Sequence, residues 1–173
     1  MRFLILILLF STAAYADGTT STLLNQLIKT IHPKMQLIQP SEIDQKSCGN
    51  DISTYIGADF NGDNIKDYAG LFRSITAKDA ESYGRKYKLY DGKLVAFLGM
   101  KDGHYKSVII TGSGGELPFI EVLYVQPKGN VHGVEGDRVI NLQNDAIGMV
   151  TCEKSATVFY WHNGSFKELW TAD

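Results

Sequence analysis

The sequence predicts an α+β fold that is mainly β: an N-terminal amphipathic helix followed by an antiparallel β-meander of about eight or nine strands. Two observations carry this reading. Leu23, Leu24, Leu27, Ile28 and Ile31 recur at three- and four-residue spacings, which places them on one stripe of a helix. From Ser53 onward the pattern changes to short apolar runs split by the pairs Asp102-Gly103, Asn144-Asp145 and Asn163-Gly164. Such pairs accept the positive φ that tight hairpin turns require.

In chain order, residues 1–16 read as a secretory signal peptide. Arg2 supplies the positive start, 3–10 is an unbroken apolar run, and Ala14-Tyr15-Ala16 fits a small-x-small cleavage site. The run is too short to span a bilayer about 30 Å thick. Residues 17–173 then form a single β-rich domain, and export places it in the periplasm or outside the cell. The helix is expected over 19–32, with Thr20 or Ser21 capping its start and Pro33 stopping it. Residues 33–52 show no period and read as a connecting arm, with Met35, Leu37 and Ile38 as a possible short strand.

Strands are expected at 53–58, 68–75, 94–100, 105–111, 120–126, 138–143, 146–152, 157–162 and 165–170. The charged segment 76–90 reads as a loop or a short helix. Segments 112–118 and 128–136 read as flexible loops.

Composition narrows the function. Without Arg2 the chain has 16 basic and 19 acidic residues, a net charge of −3 with His neutral. No basic patch suited to nucleic acid appears, and no second apolar segment suits a membrane span. Cys48 and Cys152 are the only cysteines. In an oxidising compartment they predict one disulfide closing a 104-residue loop. There is no CxxC, and neither Cys has a His close in sequence, which argues against a catalytic thiol.

The most specific local pattern is the loop 59–67. Asp59, Asn61, Asp63 and Asp67 offer side-chain oxygens and Ile65 a backbone carbonyl, all around a Gly62/Asn64 turn. Hard cations take oxygen ligands of this kind, at about 2.3–2.6 Å for calcium. An EF-hand is excluded because its twelfth position would be Gly70 rather than Glu, and both flanks read as strands. The run Asp59-Phe60-Asn61-Gly62-Asp63-Asn64-Ile65-Lys66-Asp67-Tyr68 resembles the calcium loops of FG-GAP/VCBS-type repeats, with Asn64 where Gly is usual. That resemblance implies a loop between two antiparallel strands holding a structural calcium. The single copy argues against a full β-propeller.

Other residues give weaker signals. His32, His104, His132 and His162 show no metal-binding spacing. Gly112-Ser113-Gly114-Gly115 lacks the Lys-Ser/Thr of a P-loop, and Ser113 does not sit in GxSxG. Glu116, Glu121 and Glu135 are the carboxylates a dispersed glycoside-hydrolase pair would draw on. The many aromatics suit core and cross-strand packing. The function expected is a secreted or periplasmic, calcium-stabilised binding domain for a protein or glycan partner. The alternatives are an inhibitor or immunity-type protein that plugs a partner enzyme with 112–118 or 130–136, and a hydrolase.

Overall fold

The computed structural model describes residues 18–49, 52–134 and 138–172. The expected signal peptide and the start of the domain at Asp17 therefore lie outside the described residues. Among those residues, no helix is long and apolar enough to cross a membrane.

Helix α1 (Gly18–Ile31) follows the apolar stripe and buries Leu24 and Ile28 completely. Neither Thr20 nor Ser21 is its cap, because both lie inside the helix. Ser21 and Thr22 hydroxyls instead donate back to the Gly18 carbonyl at 3.0 and 2.9 Å, the local bonding that short hydroxyl side chains favour near helix ends. The arm that follows is more ordered than its aperiodic sequence suggests. It holds β1 (Met35–Leu37), a 3₁₀ turn (Pro40–Glu42) and a one-turn helix α2 (Gln45–Cys48), capped by the Asp44 carboxylate.

The strands that follow are β2 (Tyr55–Ala58), β3 (Asp67–Ser74), β4 (Lys78–Ser82), β5 (Arg85–Gly99), β6 (Tyr105–Gly115), β7 (Glu121–Gln126), β8 (Gly129–His132), β9 (Val139–Leu142), β10 (Ala146–Thr151), β11 (Ser155–His162) and β12 (Ser165–Ala172). The described residues thus hold twelve strands rather than eight or nine. Every strand expected from the sequence is present, and the additions come from segments read as arm or loop. In 76–90, β4 and the first part of β5 form an exposed ribbon whose side chains are mostly charged. Such a ribbon gains from cross-strand pairs rather than burial. Lys88 sits opposite Asp79 and reaches its carboxylate at 2.5 Å. The ribbon turns at Tyr83-Gly84, both at positive φ, and Tyr gives no turn signal in the sequence.

All strand pairings are antiparallel, but the order is not a simple meander. β1 and β2 lie end to end along one edge of β3, β5 takes the other edge, and β4 and β6 pair with β5. The second sheet runs β12-β11-β10-β7, and β8 and β9 make a separate hairpin. Asn163-Gly164 forms the expected two-residue turn, with φ of 49° and 80° between paired His162 and Ser165. Asp102-Gly103 instead lies in a longer turn closed by Met100 N–H donating to the His104 carbonyl. Asn144-Asp145 joins no hairpin: β9 pairs with β8, while β10 pairs with β7 and β11. Turn chemistry marks where a chain reverses but does not decide which neighbours it meets.

Strand alternation sorts the core into layers. Ala69 and Leu71 of β3 and Leu94, Ala96 and Leu98 of β5 face the second sheet, where Leu123, Ile147 and Phe159 meet them. The alternate residues Phe72, Val95 and Phe97 face α1, packing on Leu24 and Ile28. β3 and β5 are therefore covered on both faces, which is why their sequences read as apolar runs. The β8–β9 hairpin covers the outer face of the second sheet through Val131, Leu142, Val158 and Leu169.

The disulfide is present. Cys48 and Cys152 have Cα atoms 5.2 Å apart, tying α2 to the chain just after β10. The same arm is stitched to Phe119: Asp44 N–H donates to the Phe119 carbonyl at 2.7 Å, and Phe119 N–H to that of Glu42 at 2.8 Å. Arg73 of β3 forms an ion pair with Glu42 and lies over the Tyr90 ring, 4.7 Å from its centroid. Because the bridge closes 104 residues, the Cys48→Ser/Cys152→Ser variant is expected to lose about 4–5 kcal/mol by the chain-entropy argument. Urea unfolding of both forms measures it, and a midpoint unchanged from the parent refutes the role.

Candidate functional site

The loop 59–66 joins β2 to β3, whose ends pair at Ala58 and Asp67. Its turn is organised by short side chains that accept N–H groups. Asp59 Oδ1 accepts from Gly62 N–H at 2.8 Å and Asp63 N–H at 3.2 Å, and Oδ2 from Asn64 N–H at 2.8 Å. Asn61 Oδ1 accepts from Asp63 N–H at 3.0 Å, and Asp63 Oδ1 from Ile65 N–H at 2.8 Å. The curvature needs the left-handed conformation at Gly62 and Asn64, with φ of 79° and 64°, which Gly and Asn tolerate best.

Asp67 stands apart from the others because it is fully buried. Its Oδ2 accepts from the N–H groups of Phe60 and Asn61 at 2.9 and 3.3 Å, and its Oδ1 from Gly99 N–H at 2.8 Å. Burial pushes its carboxyl above the ordinary range, the three N–H groups oppose that shift, and the charge of Asp63 adds to it. Beneath the loop, fully buried Phe60 enters the core between the sheets.

The donor types fit a hard cation, since all five expected ligands, Asp59, Asn61, Asp63, Ile65 and Asp67, offer oxygen. Asp63 is exposed, Asp59 and Asn61 are half-buried and Asp67 is fully buried. Among the described residues, no group of three or more His, Cys, Asp or Glu side chains gathers closely enough to hold a metal ion. The turn closes on its own hydrogen bonds.

Two neighbours of this loop gave no sequence signal. A Cβ on Gly99 would lie 2.7 Å from both Ile65 Cγ2 and the Lys66 carbonyl oxygen, so the loop rests directly on the end of β5. A Cβ on Gly62 would lie 2.5 Å from the Asn144 amide oxygen, so the expected Asn144-Asp145 turn packs against the loop instead of closing a hairpin. Only the three-dimensional approach of distant segments reveals either contact.

A second region lies on the α1 face of the larger sheet, beyond the C-terminal end of that helix. Here an open groove of about 920 Å³ is lined by His32, Lys34, Ser74, Lys78, Asp91 and Lys93. Strand alternation puts Ser74, Asp91 and Lys93 on the same face as Phe72 and Val95. Asp91 accepts from Lys78 Nζ through both oxygens, at 3.0 and 2.9 Å. The Ser74 hydroxyl donates to the Thr76 carbonyl at 2.9 Å and accepts from Asp91 N–H at 3.0 Å. Lys34 and Lys93 have no ion-pair partner among the described residues.

The remaining sequence candidates do not converge. Glu116 is held by Arg85 at 2.5 Å, Glu121 lines a narrower cavity between the sheets, and Glu135 lies outside the described residues. The first plugging segment, 112–118, is largely strand at its start, and 130–132 belongs to β8.

Asp67→Ala leaves three backbone N–H groups without their acceptor and is expected to cost roughly 3 kcal/mol or more. Asp67→Asn keeps one acceptor oxygen and should fall between Ala and wild type. Urea unfolding in chelator ranks the three, and an Ala variant within about 0.5 kcal/mol of wild type would show that the carboxylate does not hold the loop. Searches with this chain find no matching family model, no matching curated protein and no matching solved structure.

Proposed function

We propose that this protein is an exported binding domain whose scaffold is braced by the 48–152 disulfide and a structural calcium, and whose working surface is the groove beyond α1. One observation carries the binding reading: the groove's Ser74 hydroxyl and Asp91 carboxylate are already engaged, while two of its cations are not. Ser74 spends its hydroxyl on Thr76 and Asp91, and Asp91 spends both oxygens on Lys78. General acid–base or nucleophilic chemistry needs such groups poised toward a substrate. What the groove offers a ligand is positive charge and shape.

Calcium is proposed on the donor chemistry of the loop and its resemblance to FG-GAP/VCBS-type loops. Asp59, Asn61, Asp63 and the Ile65 carbonyl would hold the ion over Asp67. There it would offset the repulsion among the three carboxylates, a stabilising role with no part in a reaction. Export is proposed on the apolar leader and on a disulfide, which persists in oxidising compartments.

Calcium at about 100 times its Kd adds about 2.7 kcal/mol, so melting should rise by roughly 5–10 °C over the chelated protein. Asp59→Ala should abolish that rise. Identical melts with and without chelator, for a protein that purifies without calcium, would remove the ion from the account. For the surface, immobilised protein should retain a partner from the exported fraction that a Lys34→Glu/Lys93→Glu bait does not. Equal retention by both baits would place the binding surface elsewhere.

A further inference from the structure

We infer that the groove beyond α1 receives an acidic, extended peptide segment of a partner protein, held by Lys34 and Lys93 with Lys78 at its rim. The inference rests on reading this face as the binding surface. Charge is the first argument. Asp91 is already joined to Lys78, and Lys34 and Lys93 have no ion-pair partner among the described residues. An anionic ligand therefore meets two uncompensated ammonium groups, and such complementarity sets both orientation and encounter rate.

Side-chain type narrows the anion. The cations lining the groove are lysines, with no arginine among them. Lysine is a compact charge on a flexible stem, whereas the rigid guanidinium fork is the usual choice for phosphate recognition. Carboxylates spaced along a flexible chain suit the lysine. Among the described residues no Phe, Tyr or Trp ring lines the groove, so a sugar ring finds no broad stacking platform there. Pro33, Met35 and the lysine stems instead give apolar walls for aliphatic side chains.

Dimensions agree with a peptide. β1, β3, β5 and β6 lie side by side beneath the groove. At about 4.8 Å between strands, that floor is about 15 Å across, the span of four or five extended residues. Gly112, opposite Lys93 and on its face, leaves that part of the floor clear of a side chain. A Cβ on Gly112 would lie 3.5 Å from the Gly92 carbonyl oxygen and 4.0 Å from Lys93 Nζ. Those are ordinary contacts at an exposed position of β6, so Gly112→Glu can place a carboxylate beside Lys93 without straining the fold.

The test titrates the full calcium-loaded chain with a fluorescein-labelled peptide of alternating Glu and Leu, read by anisotropy. An oligogalacturonate of equal charge is run in parallel. Saturable peptide binding is expected, weakening as salt approaches about 0.15 M. It should be at least about tenfold weaker in both Lys34→Gln/Lys93→Gln and Gly112→Glu, each keeping the wild-type melting temperature, and tighter than glycan binding. Three results overturn the inference: no saturable peptide binding by the wild type, unchanged affinity in folded groove variants, or glycan binding as tight as the peptide's. If the groove variants lose a partner from the exported fraction while the peptide fails to bind, the ligand class falls and the binding surface stands. If they keep that partner, both fall.

Discussion

The Asp67 carboxylate holds together the part of the fold from which the rest is registered. β3 begins at this residue, β2 ends at the residue paired with it, and β5 ends at the glycine whose N–H it accepts. Three strand ends thus meet on one side chain. Burying a carboxylate is unfavourable unless its oxygens are satisfied, and three backbone donors from two separate segments satisfy it here. The arrangement also carries Phe60 into the core between the sheets, since Phe60 N–H is one of those donors. Without the carboxylate, the loop would lose its seat on Gly99 and the two-sheet core would lose a fully buried ring.

The groove follows from lengths rather than from any dedicated element. Helix α1 has 14 residues and so spans about 21 Å. That covers the face formed by Leu37, Phe72, Val95 and Phe97 and no more. β5, with 15 residues, continues past the helix into the ribbon with β4. The same face changes there from buried Phe97 and Val95 to Lys93 and Asp91. A sheet longer than its covering helix leaves a shelf, and the shelf's residues are polar because nothing apolar packs over them.

How much of this was legible in the sequence depends on whether the responsible force acts locally. Helix α1, the Asn163-Gly164 turn and the apolar strands were readable because periodicity and turn chemistry are local properties. The cysteine pairing was readable because two cysteines in an oxidising compartment have one intramolecular partner each. The β4–β5 ribbon was not. Its strands are charged, its turn uses Tyr83 at positive φ, and its pairing rests on Lys88–Asp79 and on continuity with buried β5. Asn144-Asp145 misled for the opposite reason: its turn propensity is real, but the chain there crosses from the β8–β9 hairpin to the second sheet. In the loop, residue types pointed to the surface oxygens, whereas the seat on Gly99 and the contact with Asn144 arise from segments tens of residues away.

The polar groups of the two regions are engaged differently. In the loop, Asp59, Asp63 and Asp67 all accept N–H bonds, so they act on the chain itself, and a bound cation would act through them on stability. In the groove, Ser74 and Asp91 are spent on neighbours while Lys34 and Lys93 are left over. Free lysines are mobile, and fixing each on a ligand costs about 0.5–1.5 kcal/mol of side-chain freedom. Exposed charge pairs return little more than that. Affinity for the proposed peptide must therefore come from several weak contacts made at once along the floor. The disulfide, the buried carboxylate and the covering helix brace the sheet beneath that floor, so the scaffold's stability and the proposed binding surface are two consequences of one packing arrangement.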